Sequence, residues 1–248
     1  MKNLIQKFGT ALLISVLAIA GARANVVING TRVVFPGGQR DVTVRLQNEG
    51  GRPALIQAWI DRGNPQSRPD TASAPFLITP PLFRIDAHKA QSLRIIFTHA
   101  DLPADRESLF WLNVLEIPPK PTERQLQGNK NYLQLAIRSR LKLFYRPAGL
   151  AGDPLKAPQS VTWHVTRDGK GWTLRADNPS PFHITLARVQ LDIGGRTYAA
   201  DTGMIAPKSS LELHVKDLAH APPAGTPVAY DAINDFGAVA AFKGTVAP

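Results

Sequence analysis

Residues 42–60 read VTVRLQNEGGRPALIQAWI, and the pattern in this stretch decides the fold. Apolar and polar side chains alternate in residues 42–46, the run ends at Asn48-Glu49-Gly50-Gly51, and a second apolar run fills residues 54–60. Alternation with a period of two predicts a β-strand with one buried face, and clusters of Gly and Asn mark turns. Short runs of this kind follow one another from Asn25 onward, so we expect a chain built mainly from strands.

The strand pattern falls into two blocks. Seven predicted strands within residues 25–146 fit an immunoglobulin-like β-sandwich. Residues 147–154 are rich in Gly and Pro and carry no strand pattern, so we interpret them as a linker. Further short strand signals in residues 155–248 predict a second, smaller sandwich. No long segment has the 3.6-residue period of a helix, and the predicted fold class is therefore all-β.

The first 24 residues predict a secretory signal peptide. Lys2 and Lys7 give a positive start, residues 12–20 form an apolar run, and Ala22-Arg23-Ala24 has the small-x-small pattern of a cleavage site. The apolar run is too short to span a membrane, which takes about 20 residues. We therefore expect residues 1–24 to be removed and the mature chain to be exported.

The composition argues against several classes of function. The chain has no Cys, which excludes disulfides, a cysteine nucleophile and a thiolate metal site. Its formal net charge is +10, but export makes nucleic acid an unsuitable partner for this basic surface. No catalytic or phosphate-binding motif is present, and the six His lack metal-ligand spacing. We expect no enzyme activity, no cofactor, no metal and no small-molecule substrate.

One predicted strand, Tyr132–Tyr145, is 14 residues long, whereas strands average about 5–6. Its first half carries three apolar residues on one face: Leu133, Leu135 and Ile137. Its other face is polar and basic: Gln134, Arg138, Arg140 and Lys142. The apolar side chains either fill the core of their own sandwich or project beyond it into a partner. The residues alone favour the first interpretation, and the unusual length of the strand argues for the second. Arg138 and Arg140 are interpreted as a solvated face.

Two stretches resemble the periplasmic chaperones of the chaperone–usher pilus pathway. Residues 102–119 read LPADRESLFWLNVLEIPP, and residues 133–147 read LQLAIRSRLKLFYRP, which is similar to the last strand of that family's first domain. Weaker similarities are NPSPF at 178–182 and INDFG at 233–237. The resemblance implies two immunoglobulin-like sandwiches at an angle with a cleft between them. It also implies that the long strand is lent to a pilus subunit (pilin) lacking its own last strand, before delivery to the outer-membrane usher.

The resemblance implies a role for two cations in the cleft. Arg32 and Lys142 match the pair with which the family holds the C-terminal carboxylate of the pilin. A guanidinium and an ammonium both donate charge-assisted hydrogen bonds to a carboxylate, so the residue types suit this role. Because a chain has one C-terminal carboxylate, this contact would also fix the register of the donated strand. The residues implied to enter the pilin are Leu133, Leu135 and Ile137.

Three charged residues match an interdomain salt-bridge network of the family: Glu107, Arg146 and Asp235. The first domain, the start of the linker and the second domain contribute one residue each, so the network would set the domain angle. Separate surface ion pairs, worth about 0–1 kcal/mol each, are the alternative. The segment 120–131, with twelve residues and no flanking cysteine pair, places the chain in the short-loop group of the family.

An exported adhesion or carbohydrate-binding module is the alternative function, because sandwiches host many functions. Such a module would need neither the basic pair nor the long strand. The partners expected of a chaperone are pilins and the usher, in the periplasm. The sequence leaves open which pilin is bound and whether the free chain self-associates through its exposed strand.

Overall fold

The computed structural model describes residues 25–121, 123, 134–169 and 171–248. The predicted signal peptide and Leu133 therefore lie outside the described residues. The first sandwich contains these strands: β1 (Val26–Ile28), β2 (Arg32–Pro36), β3 (Asp41–Asn48), β4 (Ala54–Asp61), β5 (Phe76–Thr79), β6 (Leu82–Ile85), β7 (Ala90–Phe97), β8 (Ser108–Ile117) and β9 (Ile137–Arg146).

The second sandwich begins after a single 3-10 turn, Ala157–Ser160. It contains these strands: β10 (Thr162–Asp168), β11 (Gly171–Asn178), β12 (Ile184–Ile193), β13 (Arg196–Ala199), β14 (Gly203–Ile205), β15 (Ser209–His214), β16 (Pro227–Ile233) and β17 (Val239–Thr245). Within the described ranges, no helix has the length and apolar character needed to cross a membrane. The prediction of an all-β chain with two immunoglobulin-like sandwiches is confirmed.

Two sheets enclose the core of the first sandwich. One has the strand order β1-β3-β7-β5 and the other β2-β9-β8-β4-β6. Alternate residues of each strand point inward, which is why Leu46, Ile56, Leu93 and Leu143 are fully buried. These positions follow the apolar positions of the sequence pattern, so burial of the alternating side chains explains why this chain forms strands here.

The second core is organised in the same way around one large aromatic pair. The sheet β10-β11-β15 faces the sheet β13-β12-β16-β17, in which β14 adds to the edge of β12. Trp163 and Tyr230 lie between the sheets, both about 1% exposed, with ring centroids 4.9 Å apart. The Tyr230 hydroxyl donates to the carbonyl of Pro158 at 2.7 Å, so this buried polar group is satisfied by the 3-10 turn.

The last strand of the first sandwich is shorter than predicted. The strand β9 begins at Ile137, not at Tyr132, and residues 134–136 belong to no strand. The reason lies in the neighbouring strand β8, whose last pair with β9 joins Glu116 to Ile137. Pro118 and Pro119 follow β8 and have no N–H to continue the hydrogen-bond ladder. The β8 side therefore offers residues 134–136 no strand to pair with.

Candidate functional site

The first half of β9, residues 137–141, has one unpaired edge. On one side, β8 pairs with β9 from Ile137 to Tyr145, whereas on the other side β2 pairs with it only from Lys142 to Arg146. Among the described residues, nothing pairs with the second edge of residues 137–141. Main-chain N–H and C=O groups on such an edge are a template for an added strand.

The apolar face of this segment leaves its own core at the same place. Leu141 and Leu143 are buried in the first sandwich, whereas Ile137 is 50% exposed and Leu135, just before β9, is 66% exposed. The predicted face of Leu135 and Ile137 therefore projects beyond its own sandwich. Their exposed apolar surface lies next to the free edge. The side chains of a strand added at that edge would therefore contact it.

The two predicted anchor cations, Arg32 and Lys142, lie side by side where the free edge ends, directly after residue 141. Arg32 of β2 is the direct partner of Lys142 in the parallel β2–β9 pair. Burial lowers the pKa of Arg32, while the nearby charge of Asp235 raises it in part. Burial and the charge of Arg32 both lower the pKa of Lys142. Two half-buried like charges on directly paired residues destabilise each other, and an anion between them would offset this repulsion.

A cavity of about 170 Å³ lies beside Arg32 between the two sandwiches. Residues of both sandwiches line it, among them Thr185, Ile233 and Asp235. The Nε atom of Arg32 is buried, and no described residue offers it a hydrogen-bond acceptor. A buried donor without an acceptor costs about 1–3 kcal/mol, so a ligand oxygen at this position would be stabilised. The cavity therefore contains an unsatisfied cationic donor, although the carboxylates of Glu107 and Asp235 also line it.

The three residues of the predicted salt-bridge network are in contact with one another. Arg146 donates from Nε to Glu107 Oε1 at 2.7 Å, and from Nη1 and Nη2 to Asp235 at 2.8 and 2.9 Å. Burial alone would lower the pKa of Arg146, but the hydrogen bond with Asp235 and the charge of Glu107 raise it overall. Since Glu107 belongs to the first sandwich and Asp235 to the second, the arginine bridges the two.

The network contains a fourth residue that the sequence reasoning missed. The backbone N–H of His183 donates to Glu107 Oε2 at 2.7 Å, and His183 Nδ1 lies 3.0 Å from the same oxygen. The Glu107 side chain is 2% exposed, so it is buried between a guanidinium and these two nitrogens. The available signal was position, because His183 directly follows the NPSPF motif.

Comparison with known proteins identifies the arrangement. Residues 25–151 match the family model described as the pili and flagellar-assembly chaperone, PapD N-terminal domain. Residues 156–243 match the pili assembly chaperone PapD, C-terminal domain. The chain belongs to the PapD family of pilus-assembly chaperones. The resemblance drawn from the motifs is thereby confirmed, and it favours a chaperone over an adhesion or carbohydrate-binding module.

Individual relatives of this chaperone are similar over nearly their whole length. The chaperone protein FimB/FhaD of Bordetella pertussis is 45% identical over 98% of this chain and 96% of its own. The crystal structure of the Escherichia coli chaperone YadV superposes with a TM-score of 0.76 and 39% identity, covering 90% of this chain and 100% of that one. A chain of the Salmonella enterica complex of the SafA pilin with the SafB chaperone superposes with a TM-score of 0.74 and 29% identity. The match covers 92% of this chain and 99% of that one.

The interpretation of Arg138 and Arg140 as a solvated face was wrong for this chaperone. The Arg138 guanidinium lies 4.7 Å from the ring centre of Trp59, and that of Arg140 lies 4.7 Å from the ring centre of Trp111. Arg140 also donates to Asp61 at 3.1 Å. The tryptophans come from β4 and β8, so stacking on neighbouring strands, together with this ion pair, leaves the arginine side chains only 25% and 22% exposed.

Proposed function

We propose that this chaperone binds a pilin along the free edge of β9 and holds the pilin's C-terminal carboxylate between Arg32 and Lys142. The observation that carries the proposal is the continuity of the two features. The free edge, residues 137–141, ends at Lys142, where Arg32 lies alongside. A strand whose last residue is held by the two cations would therefore run directly onto the free edge.

The side chains beside this edge supply the apolar part of the interaction. Leu135 is 66% exposed and Ile137 is 50% exposed, and the open core of a pilin would remove both from water. Full burial of such a side chain contributes about 1.5–3 kcal/mol. Leu133, outside the described residues, is proposed as the third member of this face. Main-chain hydrogen bonds along the edge add specificity of direction and register.

The carboxylate contact supplies the electrostatic part and fixes the register. Each charge-assisted hydrogen bond from Arg32 or Lys142 is worth about 1.5–3 kcal/mol. Ile137 lies five residues from Lys142 in β9, which is about 17 Å along a strand. A pilin held at its last residue would thus place a fixed side chain opposite Ile137, and a slip by one residue would present its polar face.

The wider role follows from the family and from the predicted signal peptide. The chaperone acts in the periplasm after removal of residues 1–24, caps the pilin and passes it to the outer-membrane usher. Its two domains are residues 25–146 and 155–248, joined by the linker 147–154. The network of Glu107, Arg146 and Asp235 sets the angle between them, which keeps the cleft open at a width that suits the pilin.

Co-expression with a pilin tests the proposal. The tagged chaperone should co-purify with the pilin from the periplasm, whereas Arg32→Ala and Lys142→Ala should fold but retrieve little of it. Arg45→Ala is the matched control, because Arg45 is an exposed cation on the opposite sheet. Unchanged pilin yield with both anchor variants would refute the anchor, and retrieval of a glycan without any pilin would favour the adhesion module.

A further inference from the structure

One arginine contacts the sheet from the face of β9 opposite Leu135 and Ile137. Arg138 is the second residue of β9, and the alternation of side chains along a strand directs it away from the apolar face. Its guanidinium lies 4.7 Å from the ring centre of Trp59 in β4, and its side chain is 25% exposed. The side chain therefore packs across the sheet instead of extending into solvent.

Four hydrogen bonds attach this guanidinium to two other parts of the first domain. Nε and Nη2 donate to Asn113 Oδ1 in β8, at 3.0 and 2.6 Å. Nη1 donates to the carbonyl of Pro65 at 2.9 Å, and Nη2 donates to Ser67 Oγ at 3.2 Å. Pro65 and Ser67 belong to the loop that follows β4. Arg138 thus joins the first half of β9 to its neighbour β8 and to a loop beyond it.

A buried carboxylate fixes two of the acceptors before any ligand binds. Asn113 Nδ2 and Ser67 Oγ both donate to Asp61 Oδ2 at 2.7 Å. Because its amide nitrogen is committed to Asp61, Asn113 presents its oxygen to Arg138. Burial alone would raise the pKa of Asp61, but the hydrogen bonds from Ser67, Asn113 and the backbone of Gly63 lower it overall. The carboxylate therefore stays charged at neutral pH and holds the acceptors of Arg138 in one orientation.

The free edge belongs to a segment that needs such support. Among the described residues, β8 alone pairs with residues 137–141, and the last pair joins Glu116 to Ile137. Residues 134–136, which come before it, belong to no strand. The end of a strand with a single partner opens at a lower free energy than the core of a sheet. Arg138 lies one residue from this end, where a side-chain contact can keep the segment closed.

We infer that Arg138 is a positioning residue of the pilin-binding edge, a clamp that keeps residues 137–141 paired with β8 so that the edge is already formed when a pilin arrives. The inference rests on the proposed binding of a pilin along this edge. A site that is formed for only part of the time binds with an affinity reduced by that fraction. Without the clamp, ordering of the segment would therefore oppose binding.

The first test removes the clamp and measures the order of the segment. Arg138→Met keeps the apolar stem and loses the guanidinium, while Arg140 remains to neutralise Asp61. Loss of even one charge-assisted hydrogen bond is worth about a factor of ten. Amide hydrogen exchange in residues 137–141, measured on the mature chain, should therefore accelerate at least about tenfold, whereas exchange in the second domain should not change.

The second test measures binding of two synthetic peptides to the same variant. Both are short, N-acetylated and alternate Val with Thr, and one ends in a free carboxylate, the other in an amide. Arg138→Met should weaken both by the same factor, about threefold or more, as expected once the segment is open for about two-thirds of the time. Arg167→Met is the matched control, because Arg167 also stacks on a tryptophan, Trp172 at 5.3 Å, but lies in the second domain.

A disulfide can replace the clamp and so separate positioning from other effects of the substitution. Leu115 and Arg138 are direct partners in the β8–β9 pair, and the chain has no Cys of its own. Directly opposed residues of antiparallel strands have Cα atoms about 4.5–5.5 Å apart, which a disulfide can span. In Leu115→Cys/Arg138→Cys, the reduced form should bind the peptides as weakly as Arg138→Met. The oxidised form, free of titratable thiols, should return to within about twofold of wild type.

The outcomes distinguish this inference from the proposed function. A wild type that binds neither peptide would refute the proposed edge, and the inference with it. Peptide affinity that survives in Arg138→Met, or exchange in residues 137–141 that does not accelerate, would refute the clamp while the edge stands. A loss confined to the acid would show a direct charge effect, and a loss that the disulfide does not restore would show a role other than strand closure; either would overturn the inference.

Discussion

Replacing Arg146 with Met is the sharpest test of the interdomain network. The substitution keeps the length and apolar stem of the side chain but removes the guanidinium that joins Glu107 to Asp235. The Glu107 carboxylate, 2% exposed, then loses its cation inside the domain interface. Loss of one partner from a buried ion pair costs about 3–5 kcal/mol.

The structure places the expected cost at the lower end of that range. The side chain of Arg146 is 19% exposed and that of Asp235 is 27% exposed, so water partly solvates both. Glu107 also keeps the backbone N–H of His183 at 2.7 Å. We therefore expect Arg146→Met to lower the free energy of unfolding by about 3 kcal/mol. With a urea m-value of about 3 kcal/mol/M, the urea midpoint should fall by about 1 M.

A matched surface variant makes this measurement decisive. Arg84 and Asp86 form an ion pair at 2.8 Å whose side chains are 67% and 64% exposed, so Arg84→Met should change the unfolding free energy by less than about 1 kcal/mol. Urea titrations followed by tryptophan fluorescence report both domains, since each contains tryptophans. If the midpoint of Arg146→Met moves no further than that of Arg84→Met, the residues are separate surface pairs and the network reasoning fails.

Three further expectations follow from particular contacts. Leu135→Glu should abolish pilin co-purification and leave the urea midpoint unchanged, whereas Leu143→Glu, in the core, should unfold the first domain; a midpoint lost with Leu135→Glu would show that Leu135 is core. Gly237→Ala should lower the midpoint, because Gly237 has φ +82° and an added Cβ would lie 2.5 Å from Thr31 Oγ1; an unchanged midpoint would show that this turn does not pack on the first domain. Lys142→Met should raise the urea midpoint of the free chaperone at neutral pH while removing pilin binding, because a lowered lysine pKa means that folding disfavours the charged form; a lower midpoint would contradict this sign.

Local pattern was sufficient to predict the fold class because the central strands carry alternating buried and exposed residues in their own sequence. In β3, Val44 and Leu46 are buried, and Thr43, Arg45 and Gln47 on either side of them are exposed, as the alternation predicts. The start of β9 could not be obtained in this way. The apolar alternation continues back through Leu135, but the ladder stops where β8 runs into Pro118, and that is a property of a different strand.

The site was predictable only as far as the family motifs reach. Arg32 and Lys142 are far apart in sequence and become neighbours through a parallel pairing that no local pattern encodes. The sequence predicts solvated side chains for Arg138 and Arg140, because the tryptophans on which they stack belong to β4 and β8 and are distant in sequence. The hydrogen bond from Lys142 to Thr185 joins the two domains, so no single stretch of sequence could predict it.

The free chaperone keeps an unfavourable arrangement that its ligand would relieve. Burial and mutual repulsion lower the pKa of Lys142, and Arg32 Nε is buried without an acceptor among the described residues. An anion held between Arg32 and Lys142 would offset the repulsion between them, so part of the affinity would come from relief of this repulsion. In the free chain, Lys142 donates to Thr185 Oγ1 at 3.3 Å and Arg32 donates to the carbonyl of Ile233 at 2.9 Å. The domain angle and the placement of the two cations are linked in this geometry, because both acceptors, Thr185 and Ile233, belong to the second domain.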